Sequence, residues 1–301
     1  VNRYCLCCGK PLKEGEVDYD KNSRKKFSVV LENNTLFEDL IDQQIDRRET
    51  IPGVQKKISA SFRSKAKSRK ITIAREDVII KFPSDHFPYI TEMENLCMNM
   101  ADACHIQTAE HTLLRDKDNQ YFYLTKRMDR DQERRIPMED FCQLSRRLTE
   151  DKYRGSYESF GELLDRYSAK PILDKTELFY RLLFCFVTGN NDMHLKNFSL
   201  ISDHGEYHLS PAYDLLNVML INPKDPEEMA LTVNGKKKNL HKKDFLLLAG
   251  KYGIVEKVYF SRVNRLKKDL SVTKELITTS LLSEELKEKF IQMMEERLAR
   301  L

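Results

Sequence analysis

The sequence lacks the features of a membrane or secreted protein. No apolar run approaches the roughly 18 to 20 residues of a membrane span, and no charged-then-apolar start suggests a signal peptide. Lys and Arg number 51 and Asp and Glu 47, so the net charge of +4 does not require a nucleic-acid partner. We therefore expect a cytoplasmic protein with no membrane partner.

A disulfide framework is also missing. The seven cysteines are an odd number, and four of them lie inside apolar helical patterns, as small core residues do. This favours a reducing compartment. The four cysteines are Cys97, Cys104, Cys142 and Cys185.

The other three cysteines crowd the N-terminus in YCLCCGKPL. Cys5 and Cys8 have C-x-x-C spacing, but a structural zinc site needs four ligands. No second Cys or His pair follows within the next thirty residues. The sequence therefore leaves open whether Cys5 and Cys8 bind zinc.

The first half of the chain is rich in strand patterns, and the second half is rich in helical ones. Small ligands usually bind between two such lobes. We predict an α+β, bilobal fold with a β-rich N-lobe at 31–128 and a mostly helical C-lobe at 129–301, after a Cys-containing leader at 1–30. Strands are expected at 56–62, 71–74, 78–82, 112–115 and 121–125, a linker at 126–135, and helices at 36–44, 89–104, 137–150, 156–167, 174–188 and from 242 onward.

A polar segment, NNDMHLKN at 190–197, separates two apolar runs. It follows the end of a predicted helix at Gly189 and leads into strand FSLI, which the turn DHG at 203–205 reverses. Because a hairpin brings its ends together, Asp192, Asn197 and Asp214 can converge. Two carboxylates and an amide oxygen suit Mg²⁺, which implies phosphate.

The spacing of these residues is the one that protein kinases use. There the first Asp orients a hydroxyl nucleophile, and the Asn and second Asp hold metal. Such a site also needs a cation for the nucleotide phosphates and a carboxylate beside it. Lys81, which closes the apolar strand VIIKF, and Glu94, on the next helix, have the required placement.

Six motifs together resemble the HipA family of toxin kinases. They stand in the family's order over residues 50–217. The motifs are IPGVQKKIS, VIIKF, EMENLCMNMA, YLTKRMDR, TGNNDMHLKN and SPAYDLL.

The resemblance implies a role for each matched residue. Asp192 is the catalytic base, Asn197 and Asp214 bind Mg²⁺, and Lys81 with Glu94 binds phosphate. His194 belongs to the nucleotide site or only orients the loop. The remaining nucleotide-binding positions are Gly53, Gln55, Lys126, Met128, Asp129 and Tyr213.

The resemblance also implies an ATP- and Mg²⁺-dependent serine/threonine protein kinase acting as a toxin. Its substrate would be an aminoacyl-tRNA synthetase. Its partners would be a helix-turn-helix antitoxin, with DNA bound only through that antitoxin, and a small accessory subunit that replaces an N-terminal subdomain. Thr50 either is autophosphorylated, which would switch the kinase off, or only caps a turn.

Two other functions stay open at this stage. A degenerate kinase fold could serve as co-repressor with a DNA-binding antitoxin, using the basic runs at 63–70 and 236–243. The site could also phosphorylate a small molecule, because fold alone does not fix the acceptor.

Overall fold

The structure is a computed structural model that describes residues 3–31, 55–63, 70–72, 77–131 and 134–301. The strands are β1 (Lys57–Arg63), β2 (Lys70–Thr72), β3 (Val78–Lys81), β4 (His111–Arg115), β5 (Tyr121–Lys126), β6 (Arg130–Asp131), β7 (Arg134–Arg135), β8 (Met138–Asp140), β9 (Ser199–Asp203) and β10 (Glu206–Leu209). The helices are α1 (Lys21–Lys26), α2 (Ser28–Leu31), α3 (Ile90–Ala103), α4 (Phe141–Leu144), α5 (Glu158–Tyr167), α6 (Pro171–Val187), α7 (Val218–Ile221), α8 (Lys242–Lys251), α9 (Glu256–Thr278) and α10 (Glu284–Leu298).

The N-lobe is built on a five-stranded antiparallel sheet with the order β2-β1-β3-β5-β4. Its register places Lys57 of β1 and Tyr123 of β5 on either side of Lys81 in β3. Ile80 and Leu124 are fully buried in the lobe's core. The hairpin predicted from 112–115 and 121–125 is confirmed as β4 and β5.

Helix α3 packs against β4 and β5 and also against α9 of the C-lobe. The predicted helix at 89–104 is therefore confirmed, with ends at Ile90 and Ala103. Its side chains are buried on almost every face, because the sheet covers one side and α9 covers another. This sandwich fixes the position of Glu94 between the two lobes.

Helix α6 is the central helix of the C-lobe. Pro171 occupies its first turn, where a missing N–H costs no hydrogen bond. Every residue from 178 to 187 is buried, and α5, α9 and α10 pack around it. The predicted helix at 174–188 is confirmed and begins three residues earlier.

A three-stranded antiparallel sheet, with the order β10-β9-β8, carries the chain from the polar loop to Asp214. Strands β9 and β10 join through His204 and Gly205, which both have positive φ, at 49° and 93°. Two consecutive residues with positive φ form a tight turn whose twist matches the twist of the two strands that it joins. The reversal predicted at 203–205 is confirmed.

Two predictions about the middle of the chain are wrong. Residues 137–150 do not form one helix: β8 pairs with β9, the four-residue α4 follows, and a short 3-10 turn covers Thr149–Asp151. Pairing with a distant strand overrides the local helical spacing. The segment 126–135 is also more than a linker, because it ends β5 and holds the paired strands β6 and β7.

The four cysteines expected in the core are buried there. Over the residues that the structure describes, no helix is both long and apolar enough to cross a membrane. The helix expected at 36–44 lies outside the described residues.

Candidate active site

The polar loop 190–197 is anchored at its start by the end of α6. Gly189 has a φ of +75°, a conformation that favours glycine, and turns the chain out of the helix. Asn191 then donates through Nδ2 to the carbonyl of Glu227 at 2.9 Å, and the Asn190 amide contacts the backbone at Asp214 and Leu216. The two asparagines thus tie the loop to neighbouring segments.

Asn197 closes the same loop on itself. Its Nδ2 donates to the backbone carbonyl of Asp192 at 2.9 Å, and its side chain lines the cleft. With the amide nitrogen used, Oδ1 is the Asn197 atom available to a metal. Asp192 and Asn197 are therefore held in a fixed relation to each other.

Asp214 reaches the cleft from the opposite end of the β9–β10 hairpin. Just before it, Ala212 donates its N–H to Gln107 at 2.7 Å and accepts one from Ala109 at 2.9 Å. This short parallel bridge fastens the segment to the chain entering β4. Asp214 itself has a φ of 54°, an uncommon conformation for a non-glycine residue.

Lys81 joins the two lobes at the centre of the cleft. Its Nζ lies 2.7 Å from Glu94 Oε1 of α3 and 2.5 Å from Asp214 Oδ1 of the C-lobe. Lys81 and Glu94 are buried, whereas Asp214 is partly exposed. The structure therefore brings together a cation and two carboxylates that are far apart in sequence.

The charges of this trio depend on each other. Burial would lower the pKa of Lys81, but Asp214 and Glu94 outweigh it and raise that pKa above its usual value. Burial raises the pKa of Glu94 to about 7, against the opposing charge of Lys81. For Asp214, the charge of Lys81 outweighs desolvation and lowers the pKa. Lys81 thus stays protonated and Asp214 ionised at neutral pH.

Asp192 faces an unexpected partner. The Tyr153 hydroxyl donates to Asp192 Oδ1 at 2.6 Å, and partial burial together with this hydrogen bond raises the pKa of Tyr153. Tyr153 is 44% exposed and comes from the turn after Thr149–Asp151. Sequence reasoning missed this residue, because no motif connects it with the loop.

His194 packs beneath Tyr153, with their rings in a T-shaped contact and their centroids 5.0 Å apart. Burial lowers the pKa of His194 despite the nearby charge of Asp192, so the ring is neutral at pH 7. Its Nδ1 accepts the backbone N–H of Lys196 at 3.3 Å. These contacts hold the loop in shape, and His194 lines the same cavity as Asp192.

Two adjoining cavities occupy the cleft. The larger, of about 580 Å³, is lined by Asp192, His194 and Asn197. The smaller, of about 350 Å³, is lined by Met128 and Tyr213. Both sizes are typical of ligand pockets. The residues common to both are Lys57, Lys81, Lys196 and Asp214.

The predicted nucleotide-binding residues Lys126, Met128 and Asp129 line the smaller cavity, but the side chains of Lys126 and Asp129 already form ion pairs. Lys126 forms an ion pair with Glu110. Asp129 is held by Arg127, at 2.8 Å, and by Arg130. Both arginine charges outweigh burial and lower the pKa of Asp129.

Hydrogen bonds of its hydroxyl hold Tyr213 in the wall of the smaller cavity. Its hydroxyl lies 2.5 Å from Ser199 Oγ and 3.0 Å from the carbonyl of Lys196. Lys196 in turn forms an ion pair with Asp140 at 2.7 Å. The floor of this cavity is therefore a connected hydrogen-bond network.

The structure describes the segment that contains Gly53 and Gln55 only from Gln55 onward. Gln55 lines the larger cavity and donates through Nε2 to the carbonyl of Phe82 at 2.9 Å. Thr50 and Gly53 lie outside the described residues. Lys57 was not singled out from the sequence, yet its register opposite Lys81 places both lysines at the cleft.

The donor set fits a magnesium-bound nucleotide. Asp214 and Asn197 offer oxygen ligands, which Mg²⁺ prefers, and Lys81 and Lys57 offer charge to phosphate. Asp192 lies in the same cavity as a carboxylate able to accept a proton. A β-rich lobe and a helical lobe that meet at such a cleft define a two-lobed, kinase-like fold.

The chain belongs to the family of the HipA-like C-terminal domain, whose model matches residues 50–278. This match confirms the resemblance drawn from the six sequence motifs. The solved structures that share the fold include the following two. HipA of Shewanella oneidensis, in a complex with HipB and its operator DNA, has a TM-score of 0.71 at 18% identity, over 87% of this chain and 69% of that one. The kinase CtkA of Helicobacter pylori has a TM-score of 0.52 at 18% identity, over 74% of this chain and 87% of that one.

Two curated relatives come from Sinorhizobium fredii, and their names describe them provisionally as kinases. Y4dM is 32% identical over 230 residues, which are 70% of this chain and 55% of the relative. Y4mE is 34% identical over 175 residues, which are 55% of this chain and 41% of the relative. The chain thus spans about half the length of the curated relatives it matches.

Proposed function

We propose that the chain is an ATP- and Mg²⁺-dependent serine/threonine protein kinase. The observation that supports this most strongly is the contact of Lys81 with both Glu94 and Asp214, at 2.7 and 2.5 Å. A lysine backed by a helix carboxylate and facing a second carboxylate across the cleft is the arrangement that phosphoryl transfer requires. Burying such a cation would otherwise be costly.

Five residues of the cleft have roles in this proposal. Lys81, kept in place by Glu94, would bind nucleotide phosphates, and Asn197 and Asp214 would hold Mg²⁺. When bound, Mg²⁺ neutralises phosphate charge. Asp192 would accept the proton of the acceptor hydroxyl as that oxygen bonds to the γ-phosphorus of ATP. The bond from this phosphorus to the bridging oxygen breaks in the same step, and ADP leaves.

The smaller cavity is the proposed site of the nucleotide base and sugar. Met128 and Tyr213 offer apolar surface on opposite lobes, and Lys126 and Asp129 line its edge. The side chain of Lys126 pairs with Glu110, and that of Asp129 pairs with Arg127 and Arg130. Gln55 and His194 line the larger cavity, which is the phosphate side of the proposed site, and we propose that both bind the nucleotide. We propose the same role for Gly53.

We also propose that this kinase acts as the toxin of a toxin–antitoxin pair. The support is family membership together with the structural likeness to a HipA solved with HipB and operator DNA. The implied partners are a helix-turn-helix antitoxin, DNA through that antitoxin, and a small accessory subunit. The implied substrate is an aminoacyl-tRNA synthetase, a cytoplasmic target.

Labelled ATP tests the proposed activity. Wild-type protein, Asp192→Asn and the exposed control Asp118→Asn are each incubated with cell lysate, Mg²⁺ and γ-labelled ATP. We expect label on serine or threonine of one protein band with wild type and Asp118→Asn, and a loss on the order of 100-fold or more with Asp192→Asn. Label confined to small molecules would instead indicate a small-molecule phosphotransferase, and absence of label would leave the co-repressor function.

Autophosphorylation at Thr50 has a separate test. Intact-mass spectrometry of purified protein, before and after Mg-ATP, is compared between wild type, Thr50→Val and Asp192→Asn. We expect one added phosphate in wild type alone. An unchanged wild-type mass, in protein that labels the lysate, would remove autophosphorylation while leaving the kinase proposal intact.

A further inference from the structure

The N-terminal leader gathers two thiols, a carboxylate and a hydroxyl at one point. Cys5 Sγ, Cys8 Sγ and a carboxylate oxygen of Asp20 all lie within 4.8 Å of one another. Ser23 Oγ lies 3.4 Å from Cys5 Sγ and 3.1 Å from Asp20 Oδ2. Cys8 Sγ is also 3.1 Å from that same Oδ2. The four side chains thus form one compact cluster, which joins the turn at 5–9 to the start of α1.

We propose that this cluster, the leader site, binds a zinc ion. Zinc bonds of about 2.3 Å to sulfur and about 2.0 Å to oxygen place the corners of a tetrahedron about 3.3 to 3.8 Å apart. Three separations between ligand atoms in the cluster are close to these values: 3.1 Å from Cys8 Sγ to Asp20 Oδ2, 3.1 Å from Ser23 Oγ to Asp20 Oδ2, and 3.4 Å from Cys5 Sγ to Ser23 Oγ. Cys5, Cys8 and Asp20 supply three corners. The Ser23 hydroxyl stands at the fourth, where it or a water molecule that it holds completes the coordination.

The backbone around the leader site is already shaped to present these ligands. Gly9, with a φ of +70°, closes the turn by donating its N–H to the carbonyl of Cys5 at 2.9 Å. The backbone N–H of Asp20 points at Cys5 Sγ at 3.5 Å, a contact suited to a thiolate. Backbone hydrogen bonds of this kind orient metal ligands and tune their charge.

Asp20 also divides its two oxygens between two tasks. Oδ1 caps α1 by accepting the N–H groups of Asn22 and Ser23, at 2.8 and 2.9 Å. Oδ2 is thereby turned toward the two thiols. The carboxylate is held in place before any ion binds, which lowers the entropic cost of binding.

The ligand chemistry favours zinc over Mg²⁺ and Ca²⁺. Two thiolates favour a soft or borderline cation, whereas Mg²⁺ and Ca²⁺ prefer all-oxygen sites. Cys7 stands between the two ligands in sequence but donates to the carbonyl of His111 at 3.4 Å. Cys7 is not in the group of Cys5, Cys8 and Asp20 whose ligand atoms lie within 4.8 Å of one another, so it offers a matched control.

A metal here would fasten the leader to the N-lobe. Leu6, inside the turn, accepts the N–H of Leu113 in β4 at 3.2 Å and an amide hydrogen of Asn95 in α3 at 3.1 Å. Tyr19, beside Asp20, donates its hydroxyl to the carbonyl of Leu113 at 2.7 Å. Zinc would thus link two segments that dock on the same strand. The inference does not depend on the proposed kinase function.

Metal content and cobalt spectroscopy test the leader site. The full chain is purified under reducing conditions, its zinc is measured by elemental analysis, and the metal-free protein is titrated with Co²⁺. We expect about one zinc per chain and a thiolate-to-cobalt absorption band that saturates at about one equivalent. Removal of the metal is expected to lower the Tm of the full chain by several degrees.

Three variants locate the ion. Cys8→Ser is expected to lose the cobalt band. Asp20→Asn, which keeps a capping side chain, is expected to bind at least about tenfold more weakly. Cys7→Ser is expected to bind as wild type does.

Wild-type protein that holds no zinc and develops no cobalt band would overturn the proposal, whatever the variants do. A band lost equally in Cys7→Ser and Cys8→Ser would overturn the assigned ligands.

Discussion

Lys81 links the two lobes at the cleft. Its amine faces Glu94 and Asp214, and its pKa is raised because both carboxylates outweigh the effect of burial. Removing one partner of a buried ion pair leaves the other charge without compensation. Stability and nucleotide binding should therefore depend on the same side chain.

Replacing Lys81 by Met should lower the free energy of unfolding by about 3 kcal/mol and abolish ATP binding. The loss of stability arises because Glu94 is left buried without a cation. Adding Glu94→Gln to Lys81→Met should recover part of the stability but none of the ATP binding. Urea unfolding and calorimetric ATP titration measure the two effects. Full stability in Lys81→Met alone would contradict the assigned ion pair.

Tyr153 donates to one of the two carboxylate oxygens of Asp192, the proposed base. Because the Tyr153 hydroxyl lies 2.6 Å from Asp192 Oδ1, a substrate hydroxyl that approaches Oδ1 would compete with it. Tyr153→Phe should therefore lower the KM for the protein acceptor a few-fold, roughly the effect of losing one hydrogen bond, and leave the KM for ATP unchanged. Steady-state kinetics on the labelled acceptor measure both constants. A raised acceptor KM would show instead that Tyr153 helps to bind the acceptor.

At the scale of elements, helix α6 and the hairpin β9–β10 position the site between them. The loop 190–197 begins where α6 ends, and the turn out of the helix needs Gly189. A Cβ at this position would lie 2.7 Å from Met293 Cε and 2.8 Å from Asn217 Oδ1. Crowding thus adds to the conformational need for glycine at a φ of +75°.

Gly189→Ala should destabilise the protein by about 2 to 3 kcal/mol, the sum of a positive-φ penalty and a steric one. Gly205→Ala is the matched control, because Gly205 has a φ of +93° but a Cβ there would meet no atom of the described residues within 4 Å. That variant should lose only about 1 kcal/mol. Thermal or urea unfolding compares the two. Equal losses would show that the space around Gly189 plays no part.

The start of α8 makes stability depend on pH. Asp244 is buried and accepts hydrogen bonds from Lys236 Nζ and Asn234 Nδ2, both at 2.8 Å. Burial alone would raise its pKa, but these partners hold the pKa below the usual value. The ionised form is therefore favoured by folding, and its stabilisation is present above the unfolded pKa of about 4 and lost as the pH falls further.

Asp244→Asn should reduce the free energy of unfolding by about 1 to 3 kcal/mol near pH 7, because it removes the charged acceptor. The difference from wild type should shrink as the pH falls below about 4, because the carboxylate becomes protonated first in the unfolded chain and then, at lower pH, in folded Asp244. Urea unfolding over a pH series measures it, with Asp118→Asn as an exposed control. A difference that stays constant down to about pH 2 would argue against the assigned role.

At the scale of the whole molecule, local patterns predicted most of the fold. Helices α3 and α6 and the hairpins β4–β5 and β9–β10 follow from spacing and turn residues, which act over short stretches. The resemblance to the HipA family then allowed the separate motifs to be assigned to one cleft. The site roles themselves remain predictions.

The features that the sequence did not predict all depend on long-range contacts. Tyr153 meets Asp192 from 39 residues away, and Lys57 joins the cleft through strand register. The spacing of the segment 137–150 predicts a helix and gives no sign that β8 pairs with β9. The leader site is similar, since Asp20 and Ser23 reach Cys5 only through the folded turn.

The contact of Lys81 with Asp214 is the main support for the proposed function. The most direct test of that function is ATP affinity, measured with and without Mg²⁺. In wild type and in Asp192→Asn, Mg²⁺ should strengthen ATP binding roughly tenfold or more, because Asp214 and Asn197 then hold the metal beside the phosphates. In Asp214→Asn this gain should disappear. Equal Mg²⁺ dependence in Asp214→Asn and wild type would contradict the account.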